Sequence, residues 1–433
     1  MYFYDLIHGY QPFEPKTGVP KWVKKNLRKV FLPTSLAMKK GLIRRGIQLQ
    51  GWTIESLLAN PGRIKKLAKK ILRNLKIAGQ RKHVEIGSSA YSHPILPMLS
   101  DDLIRAQIVL DREVVEKYLG KPTWFWLPEG AIDKRTLKII HEVSPDLILL
   151  IPDKALGKYN FNGLVKIRFS TRGRRGNFQK AIVFSCLFKD LFMNVEDYRR
   201  RPKYIRRPGR LPKELVWARI RRTVHSPKIF LELLKFLKSY RGQSSGDFFV
   251  LMRDWENAGS KKGLRKIKGT VLERGLSPKE IGVFLKLKDK IDFRLPSQFN
   301  WKKAKVIPIS KIIPASWDME SNPRDPYPWW QPNKYGKIWR QRKPFRRKRI
   351  LEWQELIKEF DRTFQQKVKE RGGFKKALKN QEFKKLLKRT MPALHSCIAW
   401  HYFAKRAWKP DYQYSQQALE NIVLPVLEIF KNA

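Results

Sequence analysis

The chain has 433 residues, enough for a large core in one big domain and one smaller domain. Its hydrophobic content of 42% and aromatic content of 12% argue against a disordered chain. The chain carries 92 Lys and Arg against 38 Asp and Glu, a formal net charge of +54. A field of that sign attracts polyanions such as RNA, DNA or anionic lipid surfaces. A proteome in which every surface is basic would give the same total.

Cysteine and histidine usage argues against a disulfide framework and a dedicated metal site. Cys186 and Cys397 are the two cysteines, which fits a reducing compartment. The seven histidines form no His-Glu-x-x-His motif, and the cysteines form no Cys-x-x-Cys pair. The chain starts without the features of a signal peptide, and no window approaches 18 uncharged apolar residues. We therefore expect a cytoplasmic protein with no metal and no membrane span.

Strands and helices alternate along the first 150 residues. Apolar runs predict strands over 2–7, 84–87, 123–128 and 147–151. Apolar residues at three- and four-residue spacing predict helices over 52–80, 101–118 and 134–143, with Ser100 as the N-cap of the second. This alternation predicts βαβ units and a parallel sheet. The length of the region favours a closed barrel over a small open sheet.

The second half of the chain is divided by basic and proline-rich stretches. Further strands are predicted over 164–169, 181–184, 248–252 and 306–314, the last interrupted by Pro308. A basic stretch at 195–224, a Pro- and Trp-rich stretch at 322–335 and a basic stretch at 340–349 lie between or after them. Helical periodicity runs from residue 351 to the end. We therefore expect a barrel over 1–320 with a basic insertion near 195–245, a linker over 321–350 and a helical domain over 351–433.

Five polar or aromatic segments lie at or after predicted strands, at residues 8–13, 85–97, 126–129, 253–259 and 316–318. Their candidate site residues are His8, Gln11, Glu85, His93, Trp126, Glu129, Asp254, Trp255 and Trp317. Glu129 and Asp254 each end an apolar run, and barrel enzymes carry their active-site groups at the carboxyl ends of the strands.

Paired carboxylates at this position suit retaining glycoside hydrolysis. One attacks the anomeric carbon, and the other protonates the leaving oxygen and then activates water or an acceptor sugar. The two carboxyl groups should lie about 5–5.5 Å apart. Histidine, glutamine and tryptophan side chains would hydrogen-bond and stack on the sugar rings. Each residue also has a structural interpretation: Glu129 as a charge at a helix start, Asp254 as an ion-pair partner of Arg253, and the aromatic residues as core.

In order and spacing, the five segments resemble glycoside hydrolase family 57. His8, Gln11 and Pro12 match the His-x-x-Gln-Pro motif of that family, and residues 93–97 match its His-Pro-x-Leu-Pro motif. By this resemblance, Glu129 at the end of Trp-Leu-Pro-Glu is the nucleophile.

The later segments extend the resemblance over nearly the whole chain. Asp254 takes the place of the acid/base aspartate in an Asp-x-Glu-x-x-Gly segment, Trp317 matches a segment after the barrel, and residues 396–401 match a C-terminal helix. Tyr10 and Ser260 stand where many members have histidine. These two departures affect the expected substrate contacts and leave both carboxylates in place.

The resemblance implies a (β/α)7-type distorted barrel followed by a helical C-terminal domain. It implies retaining action on an α-linked glucan or oligosaccharide, as an amylase, 4-α-glucanotransferase, branching enzyme or α-galactosidase, with no cofactor. The residues expected to bind the substrate are His8, Gln11, Glu85, His93, Trp126, Trp255 and Trp317.

An alternative hypothesis is an inactive scaffold of this family that binds RNA, DNA or a nucleoprotein assembly. Its polyanion-binding residues would be Arg199, Arg200, Arg201, Arg206, Arg207, Arg342, Lys343, Arg346, Arg347, Lys348 and Arg349. Tryptophan and phenylalanine residues near 329–345 would stack on bases, and binding would weaken steeply with salt.

Overall fold

The computed structural model describes residues 2–9, 21–157, 163–169, 177–184, 248–254, 292–317, 324–328, 330–331, 344–396 and 424–432. These residues form a mainly parallel β-sheet with helices on its outer side, followed by a helical C-terminal region. The strands are β1 Tyr2–Gly9, β2 Arg45–Leu49, β3 Val84–Ser88, β4 Trp124–Trp126, β5 Ile148–Pro152, β6 Gly163–Arg168, β7 Phe178–Phe184, β8 Phe248–Asp254, β9 Asp292–Phe293 and β10 Lys305–Pro308.

Seven of these strands form a continuous parallel row. Their order is β8-β1-β2-β3-β4-β5-β7, and every neighbouring pair runs parallel. The strands β7 and β8 at the two ends of the row approach each other with Cα atoms within 8 Å, so the row curls towards closure. The predicted (β/α)7-type barrel is confirmed. The strand β6 departs from the expected parallel arrangement: it runs antiparallel to β7 and carries β10 on its other side.

Alternating side chains divide the core into an interior and an outer layer, as the two-residue period of a strand requires. Trp124 and Trp126 of β4 pack in the barrel interior with Leu6 and Met252. Phe125, between them, packs in the outer layer under the helices. The carboxyl ends of the parallel strands therefore meet at one rim of the barrel, where the backbones of His8 and Asp254 end β1 and β8 and Glu129 follows β4.

The helices of the barrel are α1 Lys21–Asn26, α2 Leu32–Lys39, α3 Gly51–Ala59, α4 Arg63–Gln80, α5 Asp101–Tyr118 and α6 Lys134–Val143. The bounds of α5 and α6 are those predicted. The helical structure predicted over 52–80 is confirmed over most of its length, but it is divided into two helices at Asn60-Pro61-Gly62. Asn60 is extended, as a residue before proline prefers, and Gly62 has a φ of 68°.

The strand predicted over 306–314 is shorter than expected, whereas the predicted N-cap position of Ser100 is confirmed. The strand expected over 306–314 ends at Pro308, where the chain continues as a 3₁₀ turn, Ile309–Lys311. Ser100 stands at the N-cap position of α5, but its hydroxyl makes no capping bond. It donates instead to Asp361 of the C-terminal region.

The C-terminal helices are α7 Pro344–Glu370, α8 Phe374–Lys379, α9 Gln381–Thr390 and α10 Leu424–Asn432. The first of them begins inside the range expected to be a linker, with proline in its first turn, where its missing N–H is no loss. These helices pack against the barrel: Asp361 accepts from the Ser100 N–H at 2.7 Å, and Lys388 Nζ lies 2.8 Å from Glu55 Oε1.

Candidate active site

Glu129 lies directly beyond the carboxyl end of β4, in a tight left-handed turn. Glu129 has a φ of 55° and Gly130 a φ of 60°. Left-handed backbone is unfavourable for a residue with a side chain and persists where surrounding contacts hold it, often at functional sites. One such contact is the Trp317 N–H, which donates to the Glu129 carbonyl at 3.0 Å.

Among the described residues, Trp317 and Ser396 each donate a hydrogen bond to the Glu129 carboxylate, one to each oxygen. Trp317 Nε1–H donates to Oε2 at 2.8 Å, and the Ser396 hydroxyl donates to Oε1 at 3.0 Å. Glu129 itself is 8% exposed. Hydrogen bonds to a carboxylate stabilise its ionised form and fix its orientation. The arrangement therefore suits a positioned anion at the barrel rim.

His93 extends this network through Ser396. Its Nδ1 lies 2.9 Å from Ser396 Oγ and 3.7 Å from Glu129 Oε1. Because the Ser396 hydroxyl donates to Glu129, its oxygen is the acceptor for His93, which assigns the Nδ1–H tautomer to His93. The Ser396 N–H also donates to the His93 carbonyl at 2.9 Å. His93 has a φ of 61°, so two of the three non-glycine residues with positive φ in the described part of the chain meet here.

Aromatic rings form one wall of the site. The Trp126 and Trp317 ring centroids are 5.1 Å apart, and Phe184 lies 5.8 Å from Trp126. Trp330 Nε1–H donates to the Ser396 carbonyl at 3.2 Å and so anchors the C-terminal segment in the network. The structure thus brings together Glu129, His93, Trp126 and Trp317 from the predicted set.

The remaining predicted residues fall into four groups, of which Glu85 forms the last. His8 and Asp254 are register partners at the ends of β1 and β8, so their backbones meet at the same rim. Gln11 and Trp255 lie outside the described residues. Of the predicted polyanion-binding residues, Arg346–Arg349 lie in the first turns of α7, where Lys348 is exposed, and the others lie outside the described residues.

Glu85 does not join the Glu129 cluster. Its carboxylate accepts from Thr123 Oγ1–H at 3.0 Å and from the Ser297 N–H and hydroxyl. Thr123 precedes β4 and Glu129 follows it, so the two glutamates lie at opposite ends of this strand. Burial raises the pKa of Glu85, while the bonds from Ser297 and Thr123 act in the opposite direction.

Three further residues of this region were not among the predicted site residues, and Ser396 entered the sequence analysis only within the matched segment 396–401. Ser396 lies 267 positions from Glu129, and no local pattern links them. Gln48 and Gln50 lie at the end of β2, with Gln48 in register with His8. Both glutamines are fully buried, and their amide groups have no hydrogen-bond partner within the described ranges. Polar residues on alternate positions of Gly46-Ile47-Gln48-Leu49-Gln50 were the available signal for β2.

Within the part of the chain that the structure describes, no group of three or more His, Cys, Asp or Glu is placed to hold a metal ion. No described helix combines the length and apolarity needed to cross a membrane.

Residues 21–151 match the family model of Glycosyl hydrolase family 57. This segment contains β2–β4, α1–α6, His93 and Glu129. The match confirms the predicted resemblance over this segment, which is less than half of the chain. No curated protein matches the sequence significantly.

Three solved structures have the same fold. The branching enzyme from Pyrococcus horikoshii is 17% identical with a TM-score of 0.57, covering 99% of this chain and 88% of that one. The 4-alpha-glucanotransferase from Thermococcus litoralis is 15% identical with a TM-score of 0.56, covering 97% and 60%. The alpha-amylase AmyC from Thermotoga maritima is 12% identical with a TM-score of 0.56, covering 100% and 93%.

Proposed function

We propose that this protein is a retaining enzyme that hydrolyses or transfers α-linked glucan or oligosaccharide chains in the cytoplasm. Glu129 is its nucleophile and Asp254 its acid/base. The observation that carries the proposal is the buried Glu129 carboxylate at the barrel rim, held by one donor on each oxygen. The branching enzyme, glucanotransferase and amylase of the same fold support an α-glucan as the substrate class.

The donors to Glu129 have different effects on the two chemical steps. The carboxylate loses its charge when it forms an ester with the sugar, and it regains that charge when water or an acceptor sugar releases the glycosyl group. Trp317 and Ser396 stabilise the charged form, so they favour release of the sugar in the second step. They also hold the carboxylate in the orientation needed for attack in the first.

Asp254 supplies proton transfer in this scheme. Its position at the end of β8, in register with His8, supports its placement at the same rim as Glu129. It protonates the departing glycosidic oxygen and then removes a proton from water or the acceptor hydroxyl. Trp126 is fully buried and packs against Trp317, so it supports the ring that donates to Glu129.

The test compares wild type with Glu129→Gln and Asp254→Asn on maltooligosaccharides and on an activated α-glucosyl fluoride. Glu142→Gln is the control, because its surface carboxylate pairs with Arg105. Wild type and control should give α-configured first products, and both active-site variants should lose turnover of the oligosaccharides.

Added azide then separates the two roles. Azide should rescue Asp254→Asn to an α-glucosyl azide by attacking the glycosyl-enzyme, and it should rescue Glu129→Gln to a β-glucosyl azide by direct displacement. Full activity of Glu129→Gln, or a β-configured product from wild type, would contradict the assignment. A wild-type protein with no turnover on any α-glucan would support the inactive scaffold instead.

A further inference from the structure

Positive charge is unequally divided between two neighbouring stretches of the barrel. Residues 21–83 contain 18 Lys and Arg and a single acidic residue, Glu55. The next stretch, residues 84–157, contains 8 Lys and Arg against 11 Asp and Glu. A general bias towards basic residues would have raised the charge of both stretches. The segregation indicates that the first stretch carries a specific electrostatic surface.

The helix α4 presents this charge to solvent. Seven exposed cations lie along it, and we call them the α4 surface: Arg63, Lys65, Lys66, Lys69, Lys70, Arg73 and Lys76. Eighteen residues at 1.5 Å per residue make the helix about 27 Å long. Exposed Arg81 and Lys82 follow its end.

Within the described residues, no acidic group forms an ion pair with the α4 surface. Glu55, the one acid of residues 21–83, is bonded to Lys388 Nζ at 2.8 Å and to the Tyr91 hydroxyl at 2.6 Å. By contrast, arginines of α5 and α6 are paired: Arg105 with Glu142, Arg112 with Asp146 and Arg135 with Asp101. The α4 surface therefore keeps its field for an external partner.

The chemistry of the surface favours nucleic acid over a membrane. The apolar side of α4, including Ile71, Leu72 and Leu75, is buried in the core. Among the described residues, none of the exposed large hydrophobic side chains falls within residues 21–83. Membrane-surface helices bind by inserting an apolar face, and this helix has none to offer.

The spacing of charge fits a phosphodiester backbone. A nucleic-acid duplex presents one phosphate per 3.4 Å on each strand, so a helix about 27 Å long spans about eight phosphates. We propose that the α4 surface binds the phosphate backbone of nucleic acid without sequence preference, independently of the glucan chemistry. A neutral glucan has no charge for this surface to recognise.

The experiment compares two triple variants with equal change in net charge. Lys65→Gln, Lys69→Gln and Lys76→Gln together neutralise the α4 surface. Lys117→Gln, Lys121→Gln and Lys138→Gln together remove three exposed lysines from the neighbouring, balanced stretch. Binding is measured by fluorescence anisotropy with 20-base-pair duplexes of DNA and of RNA, over a roughly sixfold range of salt, from about 0.05 to about 0.3 M. The duplex length leaves about six phosphates of each strand on either side of the contact.

Loss of three phosphate contacts should lower the slope of log affinity against log salt by about 2.7 and weaken binding about 500-fold near 0.1 M salt. The control variant should keep the wild-type slope, and both variants should keep the wild-type thermal midpoint. Binding of both duplexes identifies the phosphate backbone that they share as the ligand. Binding of only one duplex identifies DNA or RNA as the source of that backbone. Equal weakening by the two variants, affinity that does not change with salt, or binding only to phosphatidylserine vesicles would overturn the proposal.

Discussion

Asp111 allows a sharp test of the electrostatics beneath the active site. This residue of α5 is fully buried and accepts three hydrogen bonds of 2.7 Å, from the Gly51 N–H, the Ser88 hydroxyl and the Ser89 N–H. It therefore ties the start of α3 to the end of β3, just before the loop that carries His93. Burial outweighs these bonds and raises the pKa of Asp111 to about 6.

A raised pKa means that the folded protein holds this proton more tightly than the unfolded chain. Between pH 4 and 6 the folded state binds more protons at Asp111, so its contribution to the free energy of unfolding falls as pH rises. The contribution is fully present below the unfolded pKa near 3.8 and is lost as pH passes 6. At about 1.4 kcal/mol for each pKa unit, the loss amounts to about 3 kcal/mol.

The Asp111→Asn variant cannot ionise, so it removes this dependence. Urea unfolding of both proteins at pH 4, 5, 6 and 7 should show the wild-type advantage over the variant shrinking by about 3 kcal/mol as pH rises. An advantage that stays level or grows over this range would refute the conclusion that burial dominates at Asp111.

Asp146→Asn is a control with the opposite sign. Burial acts to raise the pKa of Asp146, but the hydrogen bonds and charge of Arg112 together lower it. Its contribution to stability is therefore present above the unfolded pKa and lost as pH falls. The wild-type advantage over Asp146→Asn should increase with pH over the acidic range.

Three further predictions concern the turn and the network at Glu129. Trp317→Phe keeps a ring against Trp126 but removes a bond to a charged acceptor, of about 1.5–3 kcal/mol, so kcat should fall about 10- to 150-fold with glycosyl-enzyme accumulating in mass spectra. Ser396→Ala should lower kcat at nearly constant KM, whereas Ser396→Thr retains the hydroxyl and should restore most of the rate; equal rates for the two variants would contradict the role of that hydroxyl. Gly130→Ala places a Cβ 3.2 Å from the Trp317 nitrogen at a φ of +60°, so urea unfolding should show a loss of about 1–2 kcal/mol, and an unchanged midpoint would mean that the turn relaxes.

The elements that were predicted well are those whose pattern is local. The helices Asp101–Tyr118 and Lys134–Val143 have apolar residues on one face, and both were predicted with the observed bounds. The strand Arg45–Leu49 was missed because Arg45 and Gln48 are polar, although all five of its residues are buried. Its place between β1 and β3 results from pairing with two neighbours, which its own composition does not indicate.

The residues of the candidate site also divide into those that a local sequence pattern marks and those that only distant contacts bring together. Glu129 was found because an apolar strand precedes it, and that information lies within a few residues. The donors to its carboxylate come from Trp317 and Ser396, 188 and 267 positions away. Trp317 was predicted from its aromatic segment and from the family resemblance, whereas nothing near Ser396 marks its hydroxyl as a partner of Glu129.

The sequence alone predicts an alternating α/β barrel region and two carboxylates that follow apolar strands, and it determines the large positive charge. Periodicity and composition are properties of short segments, so they can be read without knowing which segments meet. The tertiary structure decided that β6 runs antiparallel, that Glu85 lies at the far end of β4 from Glu129, and that His93, Ser396 and Trp317 converge on one carboxylate. It also decided that the cations of α4 face solvent while its apolar side faces the core. Such arrangements depend on contacts between distant segments, which form only when the whole chain packs.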